Sequence, residues 1–533
     1  MQKQTFWLLL AMVCSASACS SRDSNLETSV TVVGVAPIGT DLAYVQSNGV
    51  VQRLNVLASD PKPVTSKVST TSAPRLVVKR PSTSLTAPVD ELLVVGDGKS
   101  NDYAEVLEPP ALTALDSAGG MRVYPLVDPG QQMSISDDGR FAILFVDPSY
   151  NNSKPLLTNP AEVAIVDLEA GYQAQVNPTI RNIETVGGPP NSVWFPELTV
   201  GTASQRYAFF TFSNGASLID LANPTELGHK IPLTSWLSAG GISSASGFSM
   251  VAEPSGNEIY LKSNNSKNVE VVTVMPSATV SGDVDVSLKQ LSVGSVAPGA
   301  ISVYSNSSGT QLVATLGSAV VLVDTSEDSV TTAALTHLAN QILMFQGASP
   351  EDTGIKQRAL LYASGTTKAT FVDLESFVSE PERALDPVEF GESISTIQQI
   401  EFLSGQVLVF LSGGGVDILD LTSRHWVPID SPIALTLVQA DKERSRVWVS
   451  APGDKRIAYL DFGTNTDQST LTVKSSVELD DPVRSFFRMG AAGSSRVVLV
   501  HGQAGGAVTL LDAVNPQRAT AKKLEGFLFS DLL

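Results

Sequence analysis

Residues 206–233 read RYAFFTFSNGASLIDLANPTELGHKIPL. Tyr207 to Phe212 is an apolar, aromatic run. Ser213-Asn214-Gly215 follows as a turn, because Asn and Gly tolerate positive φ. Ala216 to Ile219 is a second apolar run, and Asp220 ends it. Asn223-Pro224 breaks the chain again, Ile231 to Leu233 forms a third, shorter run, and Ser192 to Phe195 supplies a fourth ahead of Tyr207. Such runs are too short for helices and rich in β-branched residues. They are near-continuous rather than alternating, as in strands covered on both faces.

The same grammar recurs along the chain. Short apolar stretches stop on an aspartate in AIVD (Asp167), SLID (Asp220), VLVD (Asp324), TFVD (Asp373), DILD (Asp420), AYLD (Asp461) and TLLD (Asp512). TALD, ending at Asp116, is a weaker copy; EVVT, ending at Thr273, fills the interval between Asp220 and Asp324; LNV, near Asn55, is a degenerate first copy. A fixed spacing of about fifty residues marks a repeat architecture. Roughly four short strands per period, dry on both faces, is the pattern of a propeller blade, which hides its faces only against its neighbours. The fold expected is therefore an all-β propeller of four-stranded blades. The number of copies implies one large ring of about 8–10 blades, with two smaller propellers as the alternative. A strand at Val30 to Val35 is expected to close the ring by pairing with the last blade.

These units resemble bacterial β-propeller repeats of the YVTN-like type over about residues 90–533. The chain departs from that pattern in lacking the YVTN tetrapeptide and in placing Thr273 where the Asp belongs. The resemblance implies an architecture and no particular activity. Asp116, Asp167, Asp220, Asp324, Asp373, Asp420, Asp461 and Asp512 are read as structural, because a strand-end Asp accepts hydrogen bonds from the N–H groups of the next turn. A ring of calcium ligands would need several oxygens converging in each loop. The loops that follow differ too much for that: DLEAG, DLANP, DTSED, DLESF, DLTSR, DFGTN and DAVNP.

The chain opens MQKQTFWLLLAMVCSASACSS. Lys3, an apolar stretch from Thr5 to Val13 too short to span a bilayer, and the small residues Ala16-Ser17-Ala18 compose a secretory signal over residues 1–18. Cys19 directly after it resembles the bacterial lipoprotein box, with Ala16 standing where Leu is usual. The resemblance implies lipidation of Cys19, and Ser20 rather than Asp implies sorting to the outer membrane. Ordinary cleavage at the same bond is the alternative. Residues 19–29 then form a lipidated Cys and polar tether, and 30–533 the propeller. Cys14 and Cys19 are the sole cysteines, so the exported domain contains no disulfide and must be held by core burial.

The formal charge is −19. That excludes a phosphate-neutralising nucleic-acid binder and electrostatic docking onto anionic lipid. One stretch differs: residues 60–90 are rich in Pro, Ser and Thr, with Lys62, Lys67, Arg75, Lys79 and Arg80. It is read as an extended insertion between the first and second units, with a docking loop for an acidic partner as the alternative.

Chemistry-bearing patterns are sparse. His229, His337, His425 and His501 fall in different units without metal-ligand spacing. GDGKS at Gly96 to Ser100 ends like a phosphate loop but has Leu93 where the motif needs Gly, so a type I′ turn at Asp97-Gly98 explains it. SGGGVD at Ser412 to Asp417 reads as a hairpin. No G-x-S-x-G elbow exists. Asp283 and Asp285 alone are too few oxygens for calcium, and Glu351-Asp352 and Asp480-Asp481 sit in turn-like surroundings. No catalytic, metal or cofactor-binding residue and no cofactor is assigned. Three functions remain: an envelope scaffold that binds a protein partner through its ring, a channel-site enzyme of lactonase or quinone-dependent dehydrogenase type, and a surface adhesin or glycan-binding propeller.

Overall fold

The computed structural model describes residues 31–528, interrupted at 68–72, 82–89, 101–105, 130, 148–158, 160, 170–177, 184–187, 227, 240–247, 255, 281–282, 307–308, 351–353, 401, 404, 430–435, 463–472, 491–494 and 504. The signal segment, Cys19, the tether, Val30, Ser281-Gly282 and Glu351-Asp352 lie outside the described residues.

The protein is a single ring of ten four-stranded blades. Each blade is an antiparallel meander of four strands, here called inner, second, third and outer; Glu197–Val200 adds a fifth strand to blade 4 by pairing with the start of its second strand. Blade 1 runs from Val32–Ile38 to Pro63–Lys67 and blade 10 from Val483–Met489 to Lys522–Glu525. A residue in the first half of the second strand faces the residue at the Asp position in the pairs Glu91 with Asp116, Gln311 with Asp324, Arg358 with Asp373, Arg446 with Asp461 and Arg496 with Asp512.

Ten hydrophobic clusters lie between the blades, each built from two facing sheets. Val321 and Val323 of blade 6 turn toward blade 5, while Val320 and Leu322 turn toward blade 7. This alternation explains why the runs are apolar at every position rather than every second one. The tenth cluster joins the chain ends: Leu42, Tyr44 and Leu54 of blade 1 pack on Val498, Leu510 and Phe527 of blade 10.

The expected closing strand is not used that way. Val32–Ile38 pairs with Asp41–Gln46 inside blade 1, and Lys522–Glu525 completes blade 10. Every blade is continuous in sequence, so closure falls to side chains. Tyr44 meets Phe527 edge to face at 5.1 Å. Gln52 donates to the Phe527 carbonyl, and Arg496 donates to the carbonyls of Val56 and Ala58.

The 60–90 segment is likewise not an insertion throughout. Pro63–Lys67 is the outer strand of blade 1 and Pro74–Lys79 the inner strand of blade 2. Four of its cations are met within the chain: Arg75 by Asp97 and Asp147, Lys79 by Asp90, Lys62 by Asp60, and buried Arg80 by Glu91 at 2.6 Å. GDGKS also departs from the two-residue turn expected. Gly98 takes φ +74° and the chain runs on into a small ribbon, Lys99–Ser100 with Val106–Glu108.

Truncating a buried leucine at the closing interface should cost as much as at an internal one. Leu510→Ala and Leu322→Ala are each expected to destabilise by about 2–5 kcal/mol, read as matched losses in urea midpoint. A near-neutral Leu510→Ala beside a damaging Leu322→Ala would contradict closure by side-chain packing.

Candidate functional site

The Asp positions organise one face of the ring. Asp220 accepts from Ala222 N at 2.8 Å, Asp420 from Thr422 and Ser423 N at 2.9 and 2.7 Å, and Asp512 from Val514 and Asn515 N at 2.7 and 3.2 Å. Asp116 accepts from Gly120 N, Asp167 from Glu169 N and Asp373 from Ser376 N. Asp461 is engaged by Arg446. Asn55 does the same work in blade 1, accepting from Leu57 and Ala58 N. Blade 5 explains its own exception. Its third strand continues past Thr273 to Pro276, so no turn needs a carboxylate there.

At six interfaces the carbonyls of these turns are met by a cation from the preceding blade. Arg53 donates to Ser117 O, Arg122 to Leu168 O at 2.9 Å, Arg181 to Pro224 O at 2.8 Å, Lys289 to Thr325 O at 2.9 Å, and Arg446 to Ala513 O at 2.9 Å. Arg496 closes the series across the chain ends. Sequence reading missed this bridge because it links residues some forty to seventy positions apart, or across the termini, with no local signature.

Blade 6 carries no cation at any of the three places that hold one in the bridged blades; blade 8, with Gln406, Ile418 and Trp426-Val427-Pro428 there, shares this, but the cleft described next lies at blade 6. The second strand of blade 6 places Gln311 opposite the Asp, its third strand has Leu322 two residues before the Asp, and its outer strand opens Ser329-Val330-Thr331. Gln311 turns back on Asp324 at 2.7 Å instead of crossing to blade 7. A cleft of about 790 Å³ opens there, running radially from Asn306 and Gln346 on the inner strands to Ser329 and Thr331 on the outer one. Ile355 and Val378 stand on its blade 7 side at 78% and 61% exposure. Glu375 pairs with Lys356 at 3.6 Å, and Glu327 is exposed. Asp324 itself is held down to about 2 by the Ser326 hydroxyl and by Gln311. It is thus a fixed anion rather than a proton carrier.

The inner strands around the axis carry little chemistry. Among the described residues they hold no histidine and one carboxylate, Asp441, which is buried against Arg444 and Arg488. No group of three or more His, Cys, Asp or Glu residues able to hold a metal occurs among the described residues. The histidines stay apart. His229 pairs with Asp283 at 3.1 Å, and His501 is buried between Pro482 O and the Thr509 hydroxyl at 3.0 and 2.8 Å. His337 is buried enough to lower its pKa, and the His425 N–H meets the Ser423 hydroxyl. Asp285 accepts from Ala278 N, Asp480 pairs with Arg518 and Asp481 with Lys523. Of the large apolar side chains left exposed in the described residues, Trp194 is the sole aromatic.

No protein-family model matches this chain, and no curated protein matches it. Solved structures align with much of this chain at low similarity. Apo AztD from Citrobacter koseri is 14% identical, with 71% of this chain and 91% of that one covered and a TM-score of 0.34. The dihydro-heme d1 dehydrogenase NirN is 11% identical, with 84% and 78% covered and a TM-score of 0.38. PorZ of Porphyromonas gingivalis is 10% identical, with 88% and 61% covered and a TM-score of 0.30. The likeness is one of fold, and nothing about activity is carried from it.

Two buried acids occupy one repeat position, three residues before the Asp site: Glu270 in blade 5 and Asp417 in blade 8, each 2% exposed. Burial pushes Glu270 from 4.5 up to about 7, against a hydrogen bond from Gln290. Burial and then the charge of Glu392 push Asp417 from 3.8 up to about 6. A raised carboxyl pKa means the folded state holds its proton where the unfolded state has released it. Stability therefore falls as pH rises, between 4.5 and 7 for Glu270, and is flat above. Glu270→Gln should flatten that slope and raise the melting temperature at pH 8 more than at pH 4.5. An unchanged slope would contradict the assignment.

Proposed function

We propose that this chain is an exported lipoprotein, anchored to the outer membrane through Cys19, whose propeller is a protein-binding scaffold of the cell envelope. The observation that carries the reading is the division of labour in the ring. Its conserved-register aspartates and bridging cations are spent on holding blades together, while the cleft between blades 6 and 7 is left open and polar. A rigid closed ring that presents such a cleft favours recognition over turnover. Among the described residues the inner strands offer neither a proton-transfer pair nor a ligand set, which favours the scaffold over the channel-site enzyme. The glycan-binding alternative needs an aromatic rim, and Trp194 stands alone.

The anchor follows from the first residues rather than from the ring. No helix among the described residues is long and apolar enough to cross a membrane. Stable attachment through lipid takes more than one acyl chain, as lipoprotein processing supplies. The acidic balance of −19 favours neutral or basic partners.

Two measurements test this reading. Cys19→Ala should abolish metabolic labelling by a palmitate analogue and move the protein from the detergent phase to the aqueous phase. Labelling that survives the substitution would contradict the anchor. Crosslinking in intact envelopes followed by affinity recovery should yield one partner in near-stoichiometric amount. Recovery of none would contradict the scaffold.

A further inference from the structure

We infer that the cleft between blades 6 and 7 is a docking groove for an extended peptide segment of a partner protein, about four residues long, in which a Lys or Arg is flanked by aliphatic side chains. The inference rests on the scaffold reading and names the chemistry of what that scaffold grips.

The length follows from geometry. The cleft crosses the full width of a blade, from inner to outer strand. Three strand spacings of about 4.8 Å make roughly 14 Å, which an extended chain covers in about four residues.

The chemistry follows from the lining. Asp324, Glu327 and Glu375 face a single cation, Lys356. A basic side chain entering from a partner would restore the charge that blade 6 does not bring. In every bridged interface the chain's own Arg or Lys sits at this level and donates to the carbonyls after the Asp turn. Here Gln311 holds that place and bonds back to Asp324, and the short helix Leu374–Phe377 that follows Asp373 lines the opening with Leu374 and Glu375. Beside it, Ile355 and Val378 expose aliphatic surface that no other part of the described chain covers. Side-chain amides of Gln346 and Gln357 supply donors and acceptors for a peptide backbone. Tyr304, the neighbour of the lining residue Ser305, packs against blade 7 with its hydroxyl buried and without a hydrogen-bond partner. The lining includes no aromatic ring on which a sugar would stack. The excess of carboxylates opposes nucleic acid.

The test uses the full chain in detergent and two labelled pentapeptides, acetyl-Val-Lys-Val-Arg-Val and acetyl-Val-Glu-Val-Asp-Val, followed by fluorescence anisotropy. The basic peptide should bind at least tenfold more tightly than the acidic one. Gln311→Arg places in blade 6 the residue that blades 7, 9 and 10 already carry at that register, as Arg358, Arg446 and Arg496. It should fill the cleft and weaken basic-peptide binding at least tenfold without loss of melting temperature. Ile355→Ser, at an exposed position, should weaken it several-fold and serves if the arginine variant folds poorly. Equal binding of the two peptides, no binding of either, or undiminished binding by both variants would overturn the inference. The envelope crosslink separates the two levels. A partner recovered equally by the unaltered chain and by Gln311→Arg leaves the scaffold standing and removes the cleft from it, whereas a partner recovered by neither removes the scaffold.

Discussion

A single blade of this protein cannot stay dry alone. Its two central strands are apolar on both faces, as in Ala319–Asp324, where Val320 and Leu322 look one way and Val321 and Val323 the other. Burial of such side chains stabilises by about 1.5–3 kcal/mol each relative to exposure. Both faces must therefore find a neighbour, and ten blades with ten interfaces is the arrangement that leaves no face open. Closure through side chains makes the interface between blades 10 and 1 equivalent to the other nine. The chain ends need not exchange a strand.

The polar layer at one face of the ring is a second solution to the same problem. Each tight turn after a third strand presents N–H groups and carbonyls near the seam between blades. The Asp of the turn accepts from the N–H groups, and the Arg or Lys of the preceding blade donates to the carbonyls. Leaving such groups buried and unpaired would cost about 1–3 kcal/mol apiece. The layer is thus structural first. At Gln311 the layer is interrupted, and a polar cleft opens between blades 6 and 7.

Much of the architecture was legible in the sequence. The Asp endings, the fifty-residue spacing and turns such as Ser213-Asn214-Gly215 are local features, and local features survive in a linear reading. Asn55 and Thr273 were legible as departures, though the structure separates them: Asn55 keeps the cap, and Thr273 lies inside a longer strand. What failed was non-local. The outer strand Val284–Ser292 is mostly exposed and alternates apolar with polar residues, so it lacks the continuous apolar run of the central strands. The basic residues of 60–90 suggested a solvated loop, because the acids that neutralise Arg75 and Arg80 stand in other strands and blades. The closing strand was inferred from a general need to join the ends, and the need is met by Tyr44, Phe527 and Arg496 instead. The candidate site was not legible at all, since its lining joins residues of blade 6 such as Asp324 and Thr331 to residues of blade 7 such as Ile355 and Glu375.

Ring closure without strand exchange is tested most directly by native-state hydrogen exchange, resolved strand by strand. A closed ring predicts that the second and third strands of blades 1 and 10 are protected as strongly as those of blades 5 and 6, because every interface opens in the same cooperative step. An open array would fray from its termini, with protection falling from the middle blades toward blades 1 and 10. That gradient would contradict the account.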